Sequence, residues 1–471
     1  MLKPKHLEEK SFSEKLDEIL TKFSNTFKLD RRLFEADIRI NLAYCNALFQ
    51  AGILTKLESE KIKNGLLTLL KRVKYNRNLF DECRADNVHD FIESKLIQLI
   101  GDTARKLSTG RSRYEQTTTC LRLWLREEIE IISELIRRMQ KSLIDSAERN
   151  EDAVLPGYNH LQREQPILWA HWCLAYFEML KRDRERLEEV WRRTNVLPLG
   201  SGTLAGTSYE IDREAIAEEL GFDGVTNNSL DAISDRDFAV EFVSACSLLM
   251  MHLSRFAEDL ILYSSQEFRF IEFAEPTNPK SKKKSRSALE LIRGKAGKVF
   301  GHQISILTML KALPSTYNED LQEEKESIFN VAETAETCLQ IATLLTKNIK
   351  LNKDIMLKAI SEGYLNTSEL ADYLVNKGAE EAQQIAEKIT LHAIRQGKSL
   401  QELSLEEMQR FSELIEEDIF KALSLEQSLA SKNQIGGTSP ERVAEALKTA
   451  KEDLEFEEKM QDKSRFEKLF G

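Results

Sequence analysis

The chain has 471 residues, with 67 Lys and Arg against 78 Asp and Glu for a net charge of −11, and it is 41% hydrophobic and 31% charged. That balance excludes a mostly disordered chain, and the acidic excess argues against general nucleic-acid or anionic-membrane binding. With only 19 Gly and 8 Pro to punctuate it, a loop-rich or β-rich fold is excluded too, and long helices are expected.

The six cysteines, Cys45, Cys83, Cys120, Cys173, Cys246 and Cys338, lie far apart with no C-x-x-C pair. Neither a zinc site nor a disulfide framework is suggested, and a reducing compartment fits. The first twenty residues contain no apolar signal-like core. The longest apolar stretch, Phe238 to Tyr263, is broken by Glu241, His252, Arg255, Glu258 and Asp259. A cytoplasmic protein is the expectation.

From Leu16 to about Leu107, apolar residues recur at helical spacing, as in Leu33, Phe34, Ile38, Leu42 and Cys45, and several medium helices are predicted. Thr117 to Glu151 then runs for 35 residues without Gly or Pro, long enough for a helix of about 50 Å. Further long runs cover Pro166 to Arg193 and Ser234 to Phe268, so the middle of the chain reads as a bundle of very long helices whose outer faces call for an oligomer. Between them lie glycine-bearing polar loops at 107–116, 155–166 and 198–212. Phe273 to Arg286 is a Pro- and Lys-rich break that reads as a mobile loop, with helical spacing resuming at Ala288. After about Lys350 come shorter amphipathic pieces and a charged tail, read as a small C-terminal helical domain. The expected division is an N-terminal helical domain over 1–110, a central bundle over 111–350 and a C-terminal domain over 351–471.

His160 stands in the 155–166 loop, and the 107–116 and 198–212 loops place Ser, Thr and Arg beside glycines, a composition suited to holding carboxylates. Helix capping is the bland alternative for each loop alone. Taken together, DRRLFEADI (30–38), TGRSR (109–113), PGYNHLQREQP (156–166), PLGSGTLAGT (198–207), NNSLDAISDRDFAVEF (227–242), ELIRGKAGKVFG (290–301), TYNEDLQEEKE (316–326) and GGTSPERV (436–443) resemble argininosuccinate lyase, in the right order. The resemblance implies an all-α, three-domain subunit of fumarase/aspartase type, with a central long-helix bundle that forms the core of a homotetramer. It also implies active sites assembled from three subunits and reversible elimination of arginine from argininosuccinate to give fumarate, with no metal or organic cofactor. A base takes a proton from the carbon beside a carboxylate, preplaced donors meet the charge that develops, and an acid protonates the departing nitrogen.

Carried over by resemblance, His160 and its partner Glu290, Thr277 at the place of the family's loop serine, and Lys283 are the catalytic candidates. Ser112, Arg113, Asn159, Tyr317, Gln322 and Lys325 are the substrate-binding ones. Departures cluster at the fumarate half: Tyr114 replaces an Asn, Asn159 a Thr, Asn87 an Asp and Ser285 an Asn, while Pro276 and Pro279 stiffen the loop around Thr277. Two readings stay open. One is an active lyase with Thr277 or His160 as base. The other is a homologue that keeps the fold but has lost or changed the elimination, as a subunit of a mixed tetramer with an intact paralogue or as an enzyme for another substrate. The KSKKKSR stretch (280–286), at the family's substrate loop, reads as attraction for anions rather than as a nucleic-acid patch.

Overall fold

Local signals set the helices. Thr55 and Glu58 form a reciprocal capping box, the Glu58 N–H donating to Thr55 Oγ1 at 3.3 Å and the Thr55 N–H to Glu58 Oε2 at 3.0 Å. After helix α1 (Phe34–Gln50), that box opens α2 (Lys56–Tyr75). Asn87 caps α3 (Val88–Ile100) by accepting from the Asp90 N–H at 2.9 Å. Gly65 on α2 lets α3 approach closely, since a Cβ there would meet Leu96 Cδ1 at 2.7 Å.

The computed structural model describes residues 16, 19–20, 23–81, 85–273, 279–362 and 364–470, with backbone only for 279–283 and 457–470. The three expected long helices are present, α4 (Arg113–Glu148), α5 (Trp169–Thr194) and α8 (Asp237–Tyr263), with short α6 (Arg213–Leu220) and α7 (Ser229–Ser234) between α5 and α8, and two more long helices follow, α9 (Pro279–Leu310) and α10 (Glu324–Lys347). The subunit is all-α, a bundle of long helices with two small antiparallel ribbons. By length and composition α8 could cross a membrane, but Phe238, Phe242, Leu249 and Phe256 on it are core residues of the fold.

Two expectations change. Residues 155–166 are not an irregular loop: β1 (Val154–Asn159) and β2 (Gln162–Leu168) form a hairpin closed at His160 and Leu161. The lysine-rich break is already helical from Pro279, because a proline at the first helical position gives up only an N–H that has no helical partner anyway. Residues 274–278 lie outside the described residues.

The chain forms two compact units, one from 1–132, 185–247 and 298–334, the other from 133–184, 248–297 and 335–471. In the first unit, Phe27, Phe34, Phe80 and Phe91 pack ring to ring, with centroids 5.1–6.1 Å apart. In the second, Trp172 and Tyr176 pack against Phe256 and donate to Asp259 at 3.0 and 2.8 Å. That unit also holds β3 (Ile271–Phe273), paired with β4 (Ile349–Leu351), and α11 (Lys353–Ser361). Its remaining helices are α12 (Thr367–Asn376), α13 (Ala382–Gln396), α14 (Leu405–Gln409), α15 (Ile419–Ala422), α16 (Leu425–Ala430) and α17 (Pro440–Phe470). Leu370, Leu374, Ile389, Met408, Ile415 and Ile419 knit α12–α15 into one core. The five described cysteines are buried free thiols.

Candidate active site

In the first unit, three of the segments singled out in the sequence converge on the N-terminus of α4. The Glu115 carboxylate accepts from the Ser112 N–H at 2.8 Å and the Gly202 N–H at 2.9 Å, and Ser112 Oγ donates to the Gly202 carbonyl at 2.9 Å. The 107–116 and 198–212 loops are thereby locked together. Burial pushes the Glu115 carboxyl above its ordinary value, against the hydrogen bonds it accepts from Ser112, Gly202 and Gly200. Gly202 has φ +63 and sits so close to the chain that a Cβ would meet the Gly206 carbonyl oxygen at 2.3 Å, so only glycine fits. Arg213 staples the same loop, donating to the carbonyls of Leu199 at 2.8 Å and Leu197 at 3.2 Å.

The third segment brings Tyr317, whose ring lies parallel to that of Tyr114 with centroids 4.1 Å apart and planes 11° apart. Both are half-buried, and burial raises the Tyr317 phenol well above its ordinary value. Gln322 donates to Glu319. Lys325 is buried, its ammonium 2.9 Å from Asp30 Oδ1, while Thr26 donates to the other oxygen of the same carboxylate at 2.7 Å. Arg113 is equally committed: its Nη2 lies 3.1 Å from Asp90 and 2.5 Å from Glu93, and its Nη1 donates to Gln116 at 2.9 Å. Asn87 Nδ2 donates to Asp90 Oδ2 at 2.7 Å, a bond that an aspartate at this position could not make.

Arg111, within the TGRSR run, has a buried Nη1 without a hydrogen-bond partner among the described residues and lies 4.9 Å over the Tyr44 ring. Burial pulls its guanidinium below the ordinary value, partly offset by Asp37 and Tyr44. With Asn41, His89, Glu93, Arg113 and Gln116 it lines a recess of about 20 Å³, room for roughly one water. The signal was the GRSR run itself, where two arginines flank the serine.

In the second unit, His160 and Leu161 form the two-residue tip of the hairpin with φ +53 and +60, flanked by the Asn159–Gln162 pair. His160 and Asn159 are exposed, and so is Glu290 on α9. Neither the His160 ring nor the Glu290 carboxylate has a hydrogen-bond or ion-pair partner among the described residues, so the expected couple is not made within the chain. Thr277 lies outside the described residues, and Lys283 falls in the first turns of α9, where only the backbone is described. Among the described residues no group of His, Cys, Asp and Glu is arranged to hold a metal ion.

Comparison with solved structures gives the same fold. An EDDS lyase in complex with formate matches with TM-score 0.82 and 24% identity over 93% of this chain and 89% of that one. A 3-carboxy-cis,cis-muconate lactonizing enzyme from Pseudomonas putida matches with TM-score 0.73 and 18% identity over 90% and 95%. A fumarate lyase from Mesorhizobium sp. BNC1 matches with TM-score 0.72 and 19% identity over 91% and 97%. Residues 364–430 match the argininosuccinate lyase C-terminal model, and residues 10–301 match the lyase model. With well over half of its length covered by that model, the chain belongs to the lyase family of the fumarase/aspartase superfamily.

Proposed function

We propose that the chain is a carbon–nitrogen lyase of argininosuccinate lyase type, eliminating arginine from argininosuccinate to leave fumarate. The observation that carries this reading is the convergence of the 109–116, 198–207 and 316–326 segments on the N-terminus of α4, joined through Glu115, Gly202 and the Tyr114–Tyr317 stack. The match of residues 364–430 to an argininosuccinate lyase C-terminal model supports the same substrate class. In this reading Ser112 and Arg113 position the succinyl carboxylates, Tyr317, Gln322 and Lys325 form the arginine side, and Lys283 faces the charge that develops on the carbanion. His160, with Glu290 supplied by another copy in a homotetramer, or Thr277 takes the proton. Asn159 at the hairpin tip completes the carboxylate contacts.

A second reading has its own observation. One face of the Tyr317 ring is already occupied by Tyr114, and the Arg113 fork is held by Asp90 and Glu93, so both halves of the pocket are partly filled by the chain itself. A homologue with changed or lost elimination, working alone or beside an intact paralogue, would look this way.

The test is purified protein with argininosuccinate, followed by fumarate absorbance and arginine release, for the parent, His160→Asn and Thr277→Val. Turnover that falls by about 10² or more in His160→Asn supports the proposal with His160 as base. No fumarate from the parent would leave the second reading standing.

A further inference from the structure

The second unit contains a recess that the proposed elimination does not use. It has a volume of about 600 Å³, within the range of small-molecule sites, and is walled by the hairpin (Tyr158, Leu161, Gln162, Arg163), the 267–270 segment and α11. Its charged lining comprises Arg163, Arg269 and Lys358 against Glu267 and Glu362, which leaves one positive charge in excess. Glu362 is shared between Lys358 at 3.6 Å and Arg163 at 4.0 Å, and Arg163 Nη1 also donates to the Ala359 carbonyl at 2.9 Å.

Arg269 stands apart. Its guanidinium makes no hydrogen bond or ion pair among the described residues, although its backbone is in the left-handed region at φ +53. For a long side chain that conformation is costly, and it persists only where the surroundings enforce it. Here the Arg269 N–H donates to the Ser265 carbonyl at 2.9 Å, its own carbonyl accepts from Asn352 Nδ2 at 2.7 Å, and the Phe270 carbonyl accepts from the Asn352 N–H at 2.8 Å. A glycine would meet that backbone demand without strain. The chain instead carries a cation there, at the wall of a cavity whose aromatic side is made rigid by Tyr158, Phe268 and Phe270, with centroids 5.3 Å apart for Tyr158–Phe268 and 5.4 Å for Phe268–Phe270.

We infer that this recess is a ligand site for a small monocarboxylate, gripped by the Arg269 guanidinium with Arg163 alongside and its apolar body against the aromatic side. One carboxylate neutralises the single excess charge and matches the planar guanidinium fork, which a more highly charged phosphate would exceed. Because the hairpin forms one wall, a bound anion would brace the strand pair that carries His160. The inference stands on the cavity and on Arg269, independently of the proposed elimination.

Benzoate is a suitable probe, since it has one carboxylate and is no analogue of a dicarboxylate substrate. Calorimetric titration at low salt should show binding to the parent, at least about tenfold weaker binding to Arg269→Gly, and a smaller loss in Arg163→Gln. The melting temperature of Arg269→Gly should equal or exceed that of the parent, because glycine takes the same backbone without strain. No binding to the parent up to about 10 mM, or unchanged affinity in Arg269→Gly, would overturn the assignment. A clear fall in melting temperature in that variant would make Arg269 a structural residue instead. Inorganic phosphate binding more tightly than benzoate would overturn the carboxylate class.

Discussion

Asp37 anchors the polar network beneath the N-terminus of α4: it accepts from His89 Nδ1 at 2.8 Å and Gln116 Nε2 at 2.7 Å, and is fully buried. Burial alone would raise its carboxyl, but the charge of His89 and the hydrogen bonds from His89 and Gln116 outweigh that and hold it below the ordinary value. A carboxyl depressed on folding stabilises above its unfolded value, roughly 3.9, and that contribution is lost as pH falls through the lower folded value. Asp37→Asn should therefore cost about 3 kcal/mol near neutral pH, with the gap to the parent closing on acidification below about pH 4. Urea unfolding of both proteins between pH 3 and pH 7 measures this, and a gap that stays constant across the range would refute it. At this scale the sequence revealed residue types but not their commitments. By resemblance Lys325 stands on the arginine side of the substrate and Arg113 at its succinyl carboxylates, and in the fold each also meets carboxylates of the chain itself, Asp30 for Lys325 and Asp90 and Glu93 for Arg113. The Asp30 that holds Lys325 lies 295 positions away, a distance no local pattern spans.

At the scale of elements, the helices were legible because they bury one stripe, and a period of 3.6 survives in the sequence as recurring apolar residues. The hairpin was not. Residues 162–165 of β2 are all exposed, so no alternation marks that strand, and its tip lacks the Asn-Gly pair that normally signals a two-residue turn. His160 and Leu161 take left-handed φ values without that chemistry, and strain of this kind concentrates where a side chain must be presented in one direction. Leu161 is 70% exposed, so its own burial contributes little. Leu161→Gly should stabilise the unit by about 1 kcal/mol through relief of the backbone, seen as a higher urea midpoint with an unchanged slope. A lower midpoint would show that Leu161 is held by contacts that outweigh its strain.

For the whole molecule, the long-helix bundle was readable from composition and spacing, whereas assembly rests on what the subunit leaves uncovered. On α9, Phe300, Ile304 and Leu307 recur at four- and three-residue spacing and are 41%, 65% and 45% exposed, with Leu344 on α10 at 63%. Scattered single apolar residues need no explanation, but three on one helical stripe form a contiguous patch of the kind that oligomers bury. We therefore expect self-association, and the homotetramer of the proposed function would have about four times the mass of the 54.2 kDa chain. Ile304→Glu places a charge on that stripe, and burying it unpaired in an interface should cost several kcal/mol, enough to shift the assembly to smaller species at micromolar concentration. Because Ile304 is mostly exposed in the subunit, the helical circular-dichroism spectrum should be retained. Light scattering decides: a tetrameric mass for the parent and a smaller one for Ile304→Glu support the assignment of this face, while equal masses would place the assembly surface elsewhere. If His160 and Glu290 meet only between copies, fumarate release should fall in parallel with the loss of mass, linking the uncovered stripe of α9 to the chemistry at the hairpin tip.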